Sequence, residues 1–440
     1  MQKQSIINNK IKKNDLINLK KRVCKEVERQ KYDIIKFHSR SIQIPSVNTP
    51  PTGGEAKYQA FIAAQMKKMG LEVKTFEPDS IKGIIDHPAY NKGINYKNRP
   101  NVLGFYKRKQ NKKSILLMAH ADTELTGKHE DWIGKTPFSG IVKDNKIYGR
   151  GAGDNKDGVT TMIFVFNVLK KLCKDIPINL CFASVVDEEQ GGRNGSLAGI
   201  IYAKKYIPDI VAGIYLDGYE KSVSPGNLGG GILSIKIKCK GSQVTIDDTF
   251  LLLKRVYERL NVFKKKRKKK FFKNNLFKRY YESLTMRIGE AKLGTNDIGG
   301  AQYGELNISV YLLHGEKEKV FLNDLNRCIL QSKKNKNESI SLSRKIKFLE
   351  TSEISQDEPI VSNIKSNYNL ITGKKINVYG SPMCDLFLMN NHGGFPSVMM
   401  GSGRSSKPGI AHSLNEFIYV DRLLETIKIT AGTIIDFAYN

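Results

Sequence analysis

The sequence predicts an α/β fold: a mainly parallel sheet with helices on both faces, interrupted by a smaller inserted α+β domain. Three observations carry this reading. Apolar runs without alternation, SILLMAHA from Ser114, INLCFASVV from Ile178 and DIVAGIYLDG from Asp209, read as strands buried on both faces. Helical segments such as TMIFVFNVLKKL from Thr161 separate them, as a parallel sheet requires. Near residue 225 the style changes, and Leu233, Ile235, Ile237 and Cys239 alternate with polar residues, as in a strand with one wet face.

The elements follow in order. Tyr58, Phe61, Ile62, Met66 and Met69 recur at spacings of three and four, which predicts a helix that Gly70 stops. LEVKTF from Leu71 follows as a strand, before the three apolar runs. Beyond the alternating strand, Thr249–Leu260 reads as an amphipathic helix, LNISVYLL from Leu306 as a strand and FLNDLNRCIL from Phe321 as a second helix. The chain turns polar at Asn337–Arg344, and the first domain resumes through PSVMMGSG from Pro396. The insert is therefore expected at residues 223–345, with the first domain built from 1–222 and 346–440.

A chain of 440 residues that is 40% hydrophobic can bury the cores of two domains. Its first sixteen residues, MQKQSIINNKIKKNDL, hold no apolar segment, so no secretory signal is expected. No run of about 18 apolar residues occurs, which argues against a membrane span. The six cysteines are scattered without a CxxC pair, the usage expected of reduced cysteines in a cytoplasmic protein. A formal charge of +29 and the run KKKRKKK at Lys264–Lys270 raise nucleic-acid binding, yet no recognisable nucleic-acid module accompanies them. Lysines are spread along the whole chain, so a solvated basic surface with weak polyanion adhesion is expected, the run Lys264–Lys270 included.

Polar residues cluster where the buried strands end. His120 and Asp122 close SILLMAHAD, Glu188 and Glu189 follow CFASVVD, and Asp217 follows AGIYL. In an open α/β sheet these carboxyl ends form the ligand-binding edge. Asp154 lies in GRGAGDNKDG, where glycines permit close backbone approach, and His412 lies in GIAHSLNE. Two imidazoles with several converging acids would be strongly destabilised if unpaired, and a divalent metal resolves the conflict. Imidazole and carboxylate without thiolate suit Zn2+, with Co2+ or Mn2+ as alternatives.

HAD after a strand, PFSG, IYGRGAGDNKDG, SVVDEEQGG, LDG and AHSLNE resemble, in order, the dizinc deacylase/peptidase family. Its members include acetylornithine deacetylase, succinyl-diaminopimelate desuccinylase, aminoacylase and carboxypeptidase G. The resemblance also takes in IQIPSVNTPPTGGE near the start. It implies that His120 and Asp217 bind one Zn2+, Glu189 and His412 the other, and Asp154 bridges both. Asp122 would hydrogen-bond the free ring nitrogen of His120, and Glu188 would be the general base. The reaction implied is hydrolysis of an amide in an N-acyl amino acid or small peptide by a metal-activated water, without a covalent enzyme intermediate. A cis peptide between Asp154 and Asn155, and an insert serving as lid or dimerisation domain in a homodimer, come with it. Asp187 receives no role, Trp132 a packing role, and His38, His87 and His392 none.

The insert departs from the family pattern. A histidine that members carry after the insert's first strand falls near Thr245 here. No arginine occurs between Arg287 and Arg327, and CDLFLM from Cys384 also lacks one. A metal-binding pseudo-enzyme or binding protein, and a nucleic-acid-associated basic protein, stay open beside the hydrolase.

Overall fold

The computed structural model describes residues 13–49, 52–108, 110–191, 193–241, 244–294, 303–403 and 411–439. These divide into two compact units, one within Met1–Pro225, Ile354–Val378 and Leu388–Asn440, the other within Gly226–Glu353 and Tyr379–Phe387. Tyr379–Phe387, with the first four residues of CDLFLM, thus joins the second unit, although the sequence reading assigned it to the resumed first domain.

The first unit is organised by an eight-stranded sheet. Its order is Glu72–Phe76, Asn101–Tyr106, Asn179–Val185, Ser114–His120, Ile210–Tyr215, Ser397–Met400, Ser222–Ser224 and Asn377–Val378. The four central strands, Asn179–Val185 to Ser397–Met400, run parallel; Asn101–Tyr106 is antiparallel to both its neighbours. Every residue of Ser114–His120 and Asn179–Val185 is buried, which explains their unalternating composition. Adjacent residues of Asn101–Tyr106 identify the two covering layers. Gly104 faces Met66 and Leu71, whereas the Phe105 ring stacks 5.6 Å from Tyr206 of the helix Asn194–Tyr206. On the Gly104 side, Phe166 of the helix Lys156–Leu172 packs 5.5 Å from Tyr106 and 5.6 Å from Phe182. The helices Lys13–Arg29 and Val420–Tyr439 add Val23, Val27, Leu423, Ile427 and Ile434 to the same core. Among the described residues, no helix is long and apolar enough to cross a membrane.

His38, which carries no motif, is fully buried in this unit. Its Nε2 lies 2.9 Å from the Ala152 carbonyl and its Nδ1 lies 3.0 Å from Thr160 Oγ1. Burial depresses its pKa from 6.5 to about 3. The folded state therefore binds fewer protons than the unfolded state between those values, so stability is lost as pH falls below 6.5. By pH 5 this one group should cost about 2 kcal/mol. In chelator-treated protein, the fall in thermal midpoint between pH 7.5 and 5 should be smaller for His38→Gln than for the wild type. Equal slopes would show that His38 is not held neutral.

The second unit builds a four-stranded antiparallel sheet in the order Met286–Gly294, Tyr303–Leu312, Gly229–Cys239, Glu338–Arg344. Leu233, Ile235, Ile237 and Cys239 line its buried face, against Leu252, Val256, Leu260, Phe321 and Leu325. The helix predicted at Thr249–Leu260 is longer, Ile246–Lys273, and includes the basic run. That run is not wholly on the solvent face. Arg267 is buried, paired with Glu316, donating to the Tyr311 carbonyl at 2.6 Å and lying over the Phe271 and Phe321 rings. Seven consecutive helical residues cover every direction around the axis, so one must face the sheet. Here it is the arginine, whose charge Glu316 compensates. A groove of about 770 Å³ in this unit, lined by Arg259, Phe263, Lys266, Val320 and Arg327 among others, holds none of the predicted site residues.

Candidate metal centre

All seven predicted site residues converge at the carboxyl edge of the first unit's parallel strands. His120 is the last residue of its strand; Glu188 and Glu189 follow Asn179–Val185, and Asp217 follows Ile210–Tyr215. Asp154 arrives on the glycine-rich loop, which approaches the end of the strand Ser397–Met400 closely. A Cβ on Gly403 would sit 1.8 Å from the Gly153 carbonyl oxygen, so only glycine permits this approach. The Asp154–Asn155 peptide is cis, as the resemblance implied.

Asp154 stands at the centre. Its Oδ1 is 3.1 Å from His120 Nε2, and its Oδ2 is 3.0 Å from His412 Nε2. His120 Nε2 also lies 3.7 Å from Asp217 Oδ1 and 3.9 Å from Glu188 Oε2. His412 Nε2 lies 2.9 Å from Glu189 Oε2. The His120 side chain is fully buried whereas that of His412 is 47% exposed, so the second imidazole forms the solvent side. His412 and Asp187 both take left-handed backbone, with φ of 59° and 70°. For residues other than glycine, that conformation is uncommon and needs support from surrounding contacts.

Asp122 lies beside the free ring nitrogen of His120 and makes further contacts as well. His120 Nδ1 is 3.0 Å from the Asp122 backbone carbonyl and 3.5 Å from its Oδ1. The carboxylate itself accepts the backbone N–H groups of Glu188 and Glu189, each at 3.0 Å, and the Asn48 amide at 2.8 Å. It ties the two-glutamate turn to the end of the His120 strand. Trp132 packs as expected, buried, with its indole N–H donating to the Thr126 carbonyl at 2.9 Å. His87 and His392 pack edge to face, ring centroids 5.1 Å apart.

The electrostatics fit cations. Burial alone would lower the His120 pKa, but the neighbouring carboxylates of Asp122, Asp154 and Asp217 hold it well above 6.5. Hydrogen bonds with Asp154 and Glu189 push His412 up to about 11. Burial, then the charge of Asp154, raises Glu189 to about 7. Imidazoles that bind protons too tightly beside carboxylates that ionise too late mark an excess of buried negative charge. Imidazole nitrogens and carboxylate oxygens without thiolate are a donor set for Zn2+, Co2+ or Mn2+. Ligand atoms of His120, Asp154 and Glu189 lie within 4.8 Å of one another, as do those of Glu124, Glu189 and His412.

Several residues here escaped sequence reading. Glu124 N–H donates to Glu189 Oε1 at 3.1 Å. Asp157 is buried near Asp154 and Asp217 and accepts a hydrogen bond from Ser402 at 2.7 Å. Arg150 pairs at 2.7 Å with Glu416, which also accepts the Gly153 N–H at 2.9 Å. Asp187, given no role, is buried against Tyr96 and Arg99. Glu416 could have been found, since it closes the AHSLNE motif.

Fold and site together define an α/β protein whose strand ends gather two imidazoles and a group of carboxylates into a candidate metal centre. The chain belongs to peptidase family M20/M25/M40, whose model matches residues 116–436. An uncharacterised metallohydrolase of Methanocaldococcus jannaschii is 30% identical over 225 residues, 48% of this chain and 50% of that protein. A Cys-Gly metallodipeptidase of Schizosaccharomyces pombe is 28% identical over 173 residues, 38% of this chain and 34% of that protein. The chain thus spans about half the length of the first relative and about a third of the second. The crystal structure of human carnosine dipeptidase 1 shares the fold, with a TM-score of 0.71 at 16% identity, covering 96% of this chain and 99% of that one.

Proposed function

We propose that this protein is a metal-dependent hydrolase that cleaves an amide bond in a small peptide or N-acyl amino acid. The observation that carries the reading is Asp154, whose two oxygens face two different imidazoles with Glu188 close by. On this reading His120 and Asp217 would hold one cation and Glu189 and His412 a second, with Asp154 between the two imidazoles available to both. Two divalent cations would acidify a water and polarise the amide oxygen when bound. Glu188 accepts the water's proton and passes it to the departing amine. Asp122 fixes the Glu188–Glu189 turn, and the buried faces of the strands restrict bulk water.

The second unit, roughly the predicted insert, is assigned a lid or dimerisation role in a homodimer by resemblance, and the scattered cysteines are the ground for a cytoplasmic setting. Its chemistry bears on substrate choice. Thr245, near the family's histidine position, instead precedes the helix Ile246–Lys273, its N–H donating to Asp248 Oδ2 at 2.8 Å. With no arginine between Arg287 and Arg327, fewer groups grip a substrate carboxylate. Neutral or unusual acyl substrates should therefore be preferred over simple acetyl-amino acids. The same Thr245 observation favours a second reading, a metal-binding protein of this fold with little turnover.

One experiment separates the two. Protein loaded with Zn2+ or Co2+ is assayed for metal stoichiometry and for free amine released from dipeptides and N-acyl amino acids. Two ions per chain with chelator-sensitive release support the hydrolase, and two ions without release on any member support the binding protein. No bound ion, with His120→Ala unchanged, would overturn both.

A further inference from the structure

We propose that Arg99 is a positioning residue: through Asn48 and Asp122 it fixes the backbone turn that presents Glu188 and Glu189. The inference rests on the reading of Glu188 and Glu189 given above. Arg99 is 1% exposed, and its guanidinium is committed to buried partners in three directions. It meets Glu55 through Nη2 at 2.6 Å and Nε at 3.0 Å, approaches Asp187 Oδ1 at 3.5 Å, and donates to Asn48 Oδ1 at 3.1 Å. Asn48 passes the hold onward, its amide donating to Asp122 Oδ2 at 2.8 Å. That oxygen in turn accepts the N–H of Glu188 and of Glu189, each at 3.0 Å.

The turn is gripped from two sides. Asp187, immediately before Glu188, holds left-handed backbone while its side chain is tied to Arg99 and to the Tyr96 hydroxyl. Immediately after it, both glutamate amides are anchored on Asp122. Arg99 is the group common to the two grips. Glu55 is met through Nε and Nη2, and the same Nη2 carries a second N–H that serves Asn48. The planar fork is also specific, because a lysine ammonium cannot span Glu55 and Asn48 in the same geometry. Partners behind the ligating groups typically matter 10–100-fold for affinity or activity.

The test uses the full chain loaded with Co2+, whose visible absorption reports ligand geometry independently of turnover. Asn48→Leu severs the link to Asp122 and leaves the Arg99–Glu55 pair intact, while Arg99→Lys weakens both grips. Asp436→Asn, which removes the buried Lys20–Asp436 pair between helices Lys13–Arg29 and Val420–Tyr439, is the stability control. The expected result is a fall in kcat of about 10–100-fold at nearly constant KM in both relay variants. A changed Co2+ spectrum should accompany it, whereas Asp436→Asn lowers only the thermal midpoint. If Asn48→Leu does not fold, Asn48→Ser, too short to bridge Arg99 and Asp122, takes its place. Wild-type kcat and spectrum in the folded variants would overturn the relay. Absence of Co2+ binding by the wild type would instead overturn the reading of the metal centre.

Discussion

Glu188→Gln should lower kcat by about 10²–10⁴-fold, the usual contribution of a positioned general base, while both metal ions stay bound. The amide keeps the shape and hydrogen-bonding reach of the carboxylate but cannot take a proton. Its neighbour should respond in the opposite way. Glu189 lies 2.9 Å from His412 and is almost wholly buried, so Glu189→Gln should cost one ion while the other remains. Metal stoichiometry and kcat measured on the same preparations check the division. Equal metal loss in the two variants would overturn it. The two side chains start from adjacent positions on one turn, so the contrast tests direction rather than distance.

Asp154→Asn should remove most of the stability that metal adds. With metal at a hundred times its dissociation constant, the wild type should gain about 2.7 kcal/mol of stability from one binding site. The variant should lose most of that gain, because the oxygens facing His120 and His412 no longer belong to a carboxylate. Without metal its effect should be smaller, because losing the anion that His120 and His412 pair with is partly offset by relief of Glu189. Asp154 contributes to the crowd of buried charges that, after burial itself, raises Glu189. Thermal midpoints of the two proteins, each with Zn2+ and with chelator, provide the check. A metal-induced shift as large in Asp154→Asn as in the wild type would remove Asp154 from the centre.

What was legible in the sequence follows from burial. The central parallel strands are covered on both faces, so their composition is continuously apolar, and an acid or histidine at the end of such a run stands out. Hence His120, Asp122, Glu188, Glu189 and Asp217 could be read, with Asp154 in its glycine-rich stretch and His412 beside them, and the ordered resemblance supplied their roles. The edge was harder. Asn101–Tyr106 carries a glycine that faces Met66 and Leu71, and no alternation marks it as antiparallel. The polar supports had no legible role, although Asn48 and Glu55 fall within IQIPSVNTPPTGGE. Asn48, Glu55, Tyr96 and Arg99 each look like an ordinary surface residue, and only the fold brings them behind Asp122. Arg267 was hidden differently, by six lysines whose exposure suggested its own. The departure of Tyr379–Phe387 to the second unit depends on contacts that no local periodicity encodes.

The order of strands in the first unit also governs when this protein can begin to hold metal. Ser397–Met400 enters the sheet beside Ile210–Tyr215, after the second unit's main segment has been threaded between them in sequence. His412 comes later still. Pairings between such distant segments carry a large loop-closure cost and tend to form slowly. A chain interrupted before Ser397 would already possess His120, Asp154, Glu189 and Asp217, but it would present a bare sheet edge at Ile210–Tyr215 and half a set of imidazoles. During synthesis, high-affinity cation uptake should therefore mark a finished molecule rather than a formed core, and a nascent intermediate should be the species most exposed to edge-to-edge association.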